Sequence, residues 1–268
     1  MSFSTFKQTK MFFEVAKFNA LKTLAYPWEF AAFFVQRSIG LLFLSIFWLA
    51  VSQSSAEVQN FRSLIAYFLI SSATLELTFA YEMKFGKNLI VLIKSGEISN
   101  YLIKPLPVIP FLFSGYVGQM WITFIYSFFA LIAGLFIMPP LGPANYLFFF
   151  VFLFLGFLIA FSMNILVGII SFYVVEASGF KNVTNHIIRI FSGAMIPLTF
   201  FPEVLRSAVL LLPFPFLAFV PAYALQNTLS MDELSRLFFT SLFWAIVLWN
   251  IKNRLWKKAL KKYEGVGI

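Results

Sequence analysis

An uncharged stretch of 71 residues, from Pro105 to Val175, limits the possible folds of this chain more than any other feature. It contains no Asp, Glu, Lys, Arg or His. A helix of roughly 20 apolar residues crosses the core of a bilayer, so the stretch is long enough for two such helices. Its middle carries the Pro/Gly-rich run MPPLGP at 138–143, which is typical of a tight turn. The sequence therefore predicts an integral membrane protein.

The composition indicates the same class of protein. Hydrophobic residues make up 60% of the chain and charged residues 12%, whereas a typical soluble domain has about 25% charged residues. The formal net charge of +9 does not indicate nucleic-acid binding, because the basic residues lie at the ends of apolar runs instead of along one face. We therefore expect membrane lipid as a partner and no nucleic acid.

Six transmembrane helices are predicted in a single transmembrane domain over 1–268, which makes the expected fold class an all-α integral membrane protein. In residues 1–25, aromatic and lysine side chains divide into faces, which predicts a cytoplasmic amphipathic helix in the headgroup region and not a removable signal peptide. The six spans are expected at 28–51, 62–82, 107–136, 145–174, 182–201 and 234–252.

The segment 203–232 is apolar enough to span the membrane, but Pro213, Pro215 and Pro221 fall within nine of its residues. Each proline inside a helix costs about 3 kcal/mol, so we expect two short helices that enter the membrane only partway. They would form a re-entrant extracellular hairpin between the fifth and sixth spans. Broken backbone at membrane depth lies against protein or lines a wet cavity, which makes this segment a candidate wall of a transport pathway.

The distribution of basic residues predicts the orientation of the chain. Sixteen of the twenty lie before span one, between spans two and three, at the start of span five or after span six, all on the same side of the membrane. Loops rich in Lys and Arg stay in the cytoplasm, so both termini are expected there. A complete seventh span through 203–232 would place the basic tail outside the cell.

Four polar side chains are expected within or at the mouths of the spans: Arg37, Glu76, His186 and Arg189. A charge at the centre of the membrane costs about 2.5 to 3.5 kcal/mol on insertion scales, so Glu76 should face protein or water. Either a structural ion pair with Arg37 or Arg62, or contact with cargo or protons, fits Glu76. His186 and Arg189 fit an interfacial cap of span five or, alternatively, ligand or proton handling.

The sequence lacks the residues of the common catalytic sites. A phosphate-binding loop has the form G-x-x-x-x-G-K-[ST], but the only Gly-Lys pair, at 86–87, is followed by Asn88 and has Tyr81 in the first Gly position. The chain has one His and no Cys, and it carries neither an H-E-x-x-H nor a G-x-S-x-G motif. We expect no catalytic or metal site and no cofactor bound by this chain.

Two motifs resemble those of a known family. Residues 93–98 (IKSGEI) and 101–106 (YLIKPL), between spans two and three, resemble an element of the type-2 family of ATP-binding-cassette (ABC) exporter permeases. Residues 191–202 (FSGAMIPLTFFP) and 212–214 (LPF) resemble the element that ends the fifth span of that family and opens its re-entrant helices. The order of spans and the expected topology are also similar, so the resemblance covers nearly the whole chain, and small uncharacterised permease subunits are the subgroup most like it.

This resemblance implies a permease subunit of a prokaryotic cytoplasmic membrane, without its own ATPase site, that exports an amphipathic or lipid-like substrate. ATP and Mg²⁺ would bind to a separate cytoplasmic ATPase subunit, and a second permease, identical or paralogous, would complete the pathway. The ATPase is expected to dock on the N-terminal helix and on a coupling loop, residues 94–105, although simple anchoring and an ordinary helix break also fit these two segments. The implied docking residues are Lys94, Gly96, Glu97, Tyr101, Leu102, Lys104 and Pro105, and the implied pathway residues are Gly193, Pro197, Pro202, Pro213, Pro215 and Pro221.

Two other classes of function remain open at this point. An ion-gradient-driven transporter needs intramembrane acids as carriers, and Glu76 is the only acid expected deep in a span. A membrane scaffold without transport activity needs no such residue.

Overall fold

The computed structural model of the protein describes residues 5–54, 61–79, 83–174 and 177–263. Within these ranges the chain forms helices joined by turns, with no strand, which confirms the predicted all-α class. Residues 1–4 of the predicted amphipathic helix and 80–82 of the second predicted span lie outside the described residues. The α-helices of the described ranges are α1 Thr5–Leu24, α2 Pro27–Ser54, α3 Phe61–Leu77, α4 Lys84–Lys94, α5 Ser99–Leu102, α6 Val108–Gln119, α7 Trp121–Ile137, α8 Pro143–Ile169, α9 Ala177–Phe191, α10 Glu203–Leu210, α11 Phe219–Gln226 and α12 Met231–Lys262.

Three helical stretches among the described residues are long and apolar enough to cross a membrane: Trp28–Val51, Pro143–Phe172 and Met231–Lys262. The pair α6 and α7 becomes a fourth if it is counted as one bent span. The α3 and α9 helices are shorter, with 17 and 15 residues. The protein is thus a multi-pass membrane protein with three or four candidate spans, and the count of six stays a prediction.

The third predicted span, 107–136, is not one straight helix. The chain bends by 60° between α6 and α7, and Met120 separates the two helices. Proline, the usual cause of a kink, is absent from residues 111–138. Hydropathy does not indicate this break, because the residues on both sides of it are apolar and uncharged.

The helix at the fifth predicted span, 182–201, has other bounds, since α9 begins at Ala177 and ends at Phe191. Gly193, two residues beyond the helix, has a φ of +79°. A glycine in this left-handed conformation commonly ends a helix, and a proline often follows, as Pro197 does here. The sixth predicted span is also longer than expected, because α12 continues without a break through the basic tail to Lys262.

The α8 helix lies at the centre of the packing and contacts α12, α4 and α11. The largest buried apolar cluster joins side chains of α3, α8, α11 and α12 around Phe68, Phe152 and Phe216. A second cluster lies where α4, α6 and α8 meet, and its aromatic rings include Phe85, Phe113 and Phe161. These two clusters hold the coupling loop at one side and the re-entrant segment at the other.

Candidate coupling loop and pathway segment

The coupling loop turns sharply after α4. Ser95 follows the helix, and Gly96 takes a φ of +74°, a conformation that favours glycine because it has no Cβ. The N–H of Ile98 then donates to the carbonyl of Leu92 at 3.0 Å, and the Ile98 side chain is fully buried. This buried isoleucine fixes the short α5 helix against the body of the protein.

The C-terminal end of α12 supports the same loop. The Tyr263 hydroxyl lies 2.9 Å from the Ser99 Oγ and donates a longer bond, 3.4 Å, to the Gly96 carbonyl. Ala259, one turn earlier, is fully buried in the cluster that contains Ile98. Sequence reasoning assigned this tail to topology and lipid attraction, and missed its contact with the loop. The signal was the four-residue spacing of Ala259 and Tyr263 among lysines, which places both on one helix face.

The outer side of the coupling loop is open. The exposed residues among those predicted to dock are Lys94, Glu97, Lys104 and Pro105, whereas Gly96, Tyr101 and Leu102 are partly buried. The Lys104 ammonium lies over the rings of Tyr101 and Phe111, 5.1 and 5.4 Å from their centroids. The loop therefore presents charged groups and the 82% exposed Ile103 outward from a buried base, an arrangement suited to contact with another protein.

The α1 helix packs directly on α6. A Cβ added at Gly118 would come far closer than 3.0 Å to the backbone of Ala16, so the two helices touch through their backbones at this point. Two side-chain hydrogen bonds flank the contact, from Gln119 Nε2 to Asn19 Oδ1 at 3.1 Å and from Trp121 Nε1 to Thr23 Oγ1 at 2.5 Å. The predicted amphipathic helix is therefore attached to the bend between α6 and α7.

The residues predicted to line a pathway lie on both sides of the turn that follows α9. The Tyr67 hydroxyl donates to the Gly193 carbonyl at 2.6 Å, and the N–H of Phe219 donates to the Ser192 carbonyl at 2.9 Å. A Cβ on Gly193 would lie 2.7 Å from that of Phe219, so only glycine fits. Of the predicted prolines, Pro202 is exposed before α10, and those that are buried are Pro197, Pro213, Pro215 and Pro221.

Side chains from other parts of the fold bind the broken backbone of residues 203–232, the predicted re-entrant segment. Asn145 Nδ2 donates to the carbonyls of Ala224 and Asn227, at 2.8 and 2.9 Å. Thr78 Oγ1 donates to the Leu217 carbonyl at 3.1 Å, and Trp244 Nε1 of α12 donates to the Leu211 carbonyl at 2.8 Å. Carbonyls that a continuous helix would satisfy internally are thus satisfied by the protein, which is the condition for such backbone in a membrane.

Arg37 and Glu76 form an ion pair between α2 and α3. The Arg37 Nη2 lies 2.5 Å from the Glu76 Oε1, and the side chains are only 10% and 3% exposed. The guanidinium also lies over the ring of Phe33, 5.0 Å from its centroid. The alternative partner, Arg62, donates instead to the Ile137 carbonyl at 3.0 Å. Since both charges are buried together, the geometry favours the structural role for Glu76.

His186 and Arg189 do not belong to this pair, since both are exposed side chains of α9. Among the described residues, no group of three or more His, Asp or Glu side chains is arranged to hold a metal ion. Lys252 is a buried charge that sequence reasoning missed, because it was taken as the flank of the last span. Its side chain is 5% exposed, and its ammonium lies 3.1 Å from the centroid of the Trp249 ring and 5.1 Å from that of Phe161.

Comparison with known proteins shows the family of the chain. The family model described as "ABC-2 family transporter protein" matches residues 34–267, which include α3 to α12, the coupling loop and the re-entrant segment. No curated protein matches the chain.

Proposed function

The chain belongs to the ABC-2 family of transporter proteins, and we propose that it is an export permease for an amphipathic or lipid-like substrate. Membership in this family makes it a membrane component of an ABC transporter, and such permeases generally work with a cytoplasmic ATPase subunit. The observation that supports a coupled permease best is the coupling loop, which is anchored at its base and open on its outer side.

The coupling loop connects an exposed surface to two long helices. From the exposed residues Glu97 and Lys104, the backbone leads to Ile98 and to the Tyr263 contact, and from there to α12. On its other side, α4 packs along α8. A partner that pushes on the loop would therefore move α8 and α12 together, and these helices also contact the re-entrant segment. We assign ATPase docking to this loop on these grounds.

The proposed substrate class follows from the re-entrant segment. Residues 207–231 carry no charge, and the buried part of this segment is apolar and aromatic. A pathway bordered by such a surface suits a molecule with an apolar part. Two permease chains, identical or paralogous, would enclose the pathway. The proposed location of the protein is a prokaryotic cytoplasmic membrane, with both termini inside the cell. ATP and Mg²⁺ would bind to the partner ATPase.

Co-purification and coupled transport test the proposal. The permease is expressed with candidate phosphate-loop ATPases from the same genome, and the pair that co-purifies is reconstituted in vesicles to measure ATP hydrolysis and substrate flux. In Glu97→Lys we expect flux to fall at least fivefold while the ATPase still hydrolyses ATP, because the reversed charge faces the docking surface. Glu203→Lys, which also reverses an exposed acid but lies on α10, is the matched control. Equal flux in the two variants would remove the docking assignment.

A second arm of the same experiment addresses the gradient-driven alternative. Substrate flux is measured in the Glu76→Gln variant with the active ATPase, and in the wild-type permease with an ATPase variant that cannot hydrolyse ATP. Flux that survives loss of ATP hydrolysis but disappears in Glu76→Gln would make the protein a secondary transporter. A reconstituted complex without flux under either energy source would favour the scaffold function.

A further inference from the structure

A cavity of about 290 Å³ lies between α1, α4, α5 and α6. Its walls are mostly apolar, and none of the described residues that line it is charged. The lining includes Val15 and Asn19 of α1, Leu92 of α4, Tyr101 of the coupling loop, and Phe111 and Gly115 of α6. The cavity therefore joins the N-terminal helix to the coupling loop.

The packing of α1 on α6 accounts for this cavity. The two helices are held together at Gly118 and by the hydrogen bonds of Gln119 and Trp121. One turn earlier, Gly115 lines the cavity and brings no side chain into it. The cavity thus lies beside a close contact between α1 and α6.

A basic side chain contacts two residues of the cavity wall. Lys104 places its ammonium over the rings of Tyr101 and Phe111, both of which line the cavity. Lys87 is exposed beside the lining residue Asn88. A mostly apolar cavity with an ammonium group against its wall is complementary to an anionic amphiphile, because the chain of such a molecule is apolar and its headgroup carries the opposite charge.

We propose that this cavity binds part of one acyl chain of an anionic phospholipid, with the phosphate at Lys104. The volume of about 290 Å³ lies just below the roughly 300 to 1,000 Å³ of clefts that enclose a whole small ligand. At about 30 Å³ for each group the size of a water molecule or a methylene, it holds roughly ten carbons and leaves the headgroup and the rest of the chain outside. The bound lipid would support Tyr101 and hence the position of the coupling loop. This binding requires residence in a membrane and is independent of the ATPase, so the two proposals fail separately.

Native mass spectrometry of the delipidated full chain in detergent tests this site. The protein is incubated with phosphatidylglycerol, phosphatidylcholine or oleate, and the bound molecules per protomer are counted. We expect one phosphatidylglycerol per protomer, retained about tenfold better than phosphatidylcholine. Val91→Trp places an indole at the cavity and should reduce retention at least tenfold. Val183→Trp is its matched control, since the two valines are 55% and 57% exposed and Val183 lies on α9.

A charge-reversal pair provides the second measurement. Lys104→Glu should abolish the preference for phosphatidylglycerol over phosphatidylcholine, whereas Lys258→Glu, an exposed lysine of α12, should keep it. If Val91→Trp does not fold, this pair decides alone. Equal retention of the two lipids by the wild type, retention of oleate only, or identical behaviour of the two lysine variants would overturn the proposal.

Discussion

Gly118→Ala provides the sharpest test of the contact between α1 and α6. Alanine is ordinarily the better residue inside a helix, by about 0.5–1 kcal/mol relative to glycine. At Gly118, however, the new methyl group would collide with the backbone of Ala16, which cannot rotate away as a side chain could. We therefore expect α1 to separate from α6 in this variant.

The expected cost follows from the interactions that flank Gly118. Separation removes the bonds from Gln119 to Asn19 and from Trp121 to Thr23, and each such bond contributes about 0.5–1.5 kcal/mol. Together they amount to about 1–3 kcal/mol. Gly40→Ala is the matched control, because Gly40 lies inside α2 and a Cβ there has no neighbour within 4 Å. The difference between the two variants isolates the contact, since the gain in helix propensity is common to both.

Thiol labelling measures the separation directly. The chain contains no cysteine, so Val15→Cys introduces a single reporter on the face of α1 that lines the cavity. A shift of 1–3 kcal/mol in docking corresponds to about 5- to 150-fold, so maleimide labelling should accelerate within that range when Gly118→Ala is added. Gly40→Ala should leave the rate unchanged. Equal rates in the two backgrounds would refute the reasoning about α1.

Three further variants test other contacts. Glu76→Gln should destabilise the protein by about 3–5 kcal/mol in thermal unfolding, because it leaves the Arg37 charge buried without its partner. The double variant with Arg37→Gln should lose less stability than the sum of the two single variants. Strictly additive losses would contradict the ion pair. Tyr263→Phe should accelerate amide exchange over 95–104 about two- to tenfold, and unchanged exchange would remove the anchor. Gly156→Ala should lower the melting temperature, unlike Gly40→Ala, because its Cβ meets the Phe216 carbonyl; matching temperatures would count against this contact.

Hydropathy and proline positions could predict the helical class and the approximate places of the apolar helices. The end of α9 was harder to predict from the sequence, because the helix stops before Gly193 and Pro197 inside an apolar run whose hydropathy does not change. The bend at Met120 lies in a stretch without proline and next to the tertiary contact of Gly118 with α1. A contact between residues about 100 positions apart leaves no periodic signal.

The environment of the polar residues could also be predicted only in part. A deep acid requires a partner, so an ion pair of Glu76 with a nearby arginine could be inferred, but the choice between Arg37 and Arg62 depends on how the helices pack. Lys252 shows the limit of this reasoning. Its position at the end of an apolar run indicated a solvated flank, whereas the longer α12 and the aromatic rings of α8 and α12 enclose it.

The length of α12 has a mechanical consequence. Its 32 residues extend for about 48 Å, which exceeds the roughly 30 Å thickness of the hydrocarbon core. Trp244 holds it to the proline-rich turn, and Tyr263 holds it to the coupling loop, so one rigid rod carries both attachments. If the rod pivots by about 10° at its start, its far tip travels about 8 Å. A small rearrangement at the proline-rich turn would thus arrive amplified at the surface that we propose for ATPase docking.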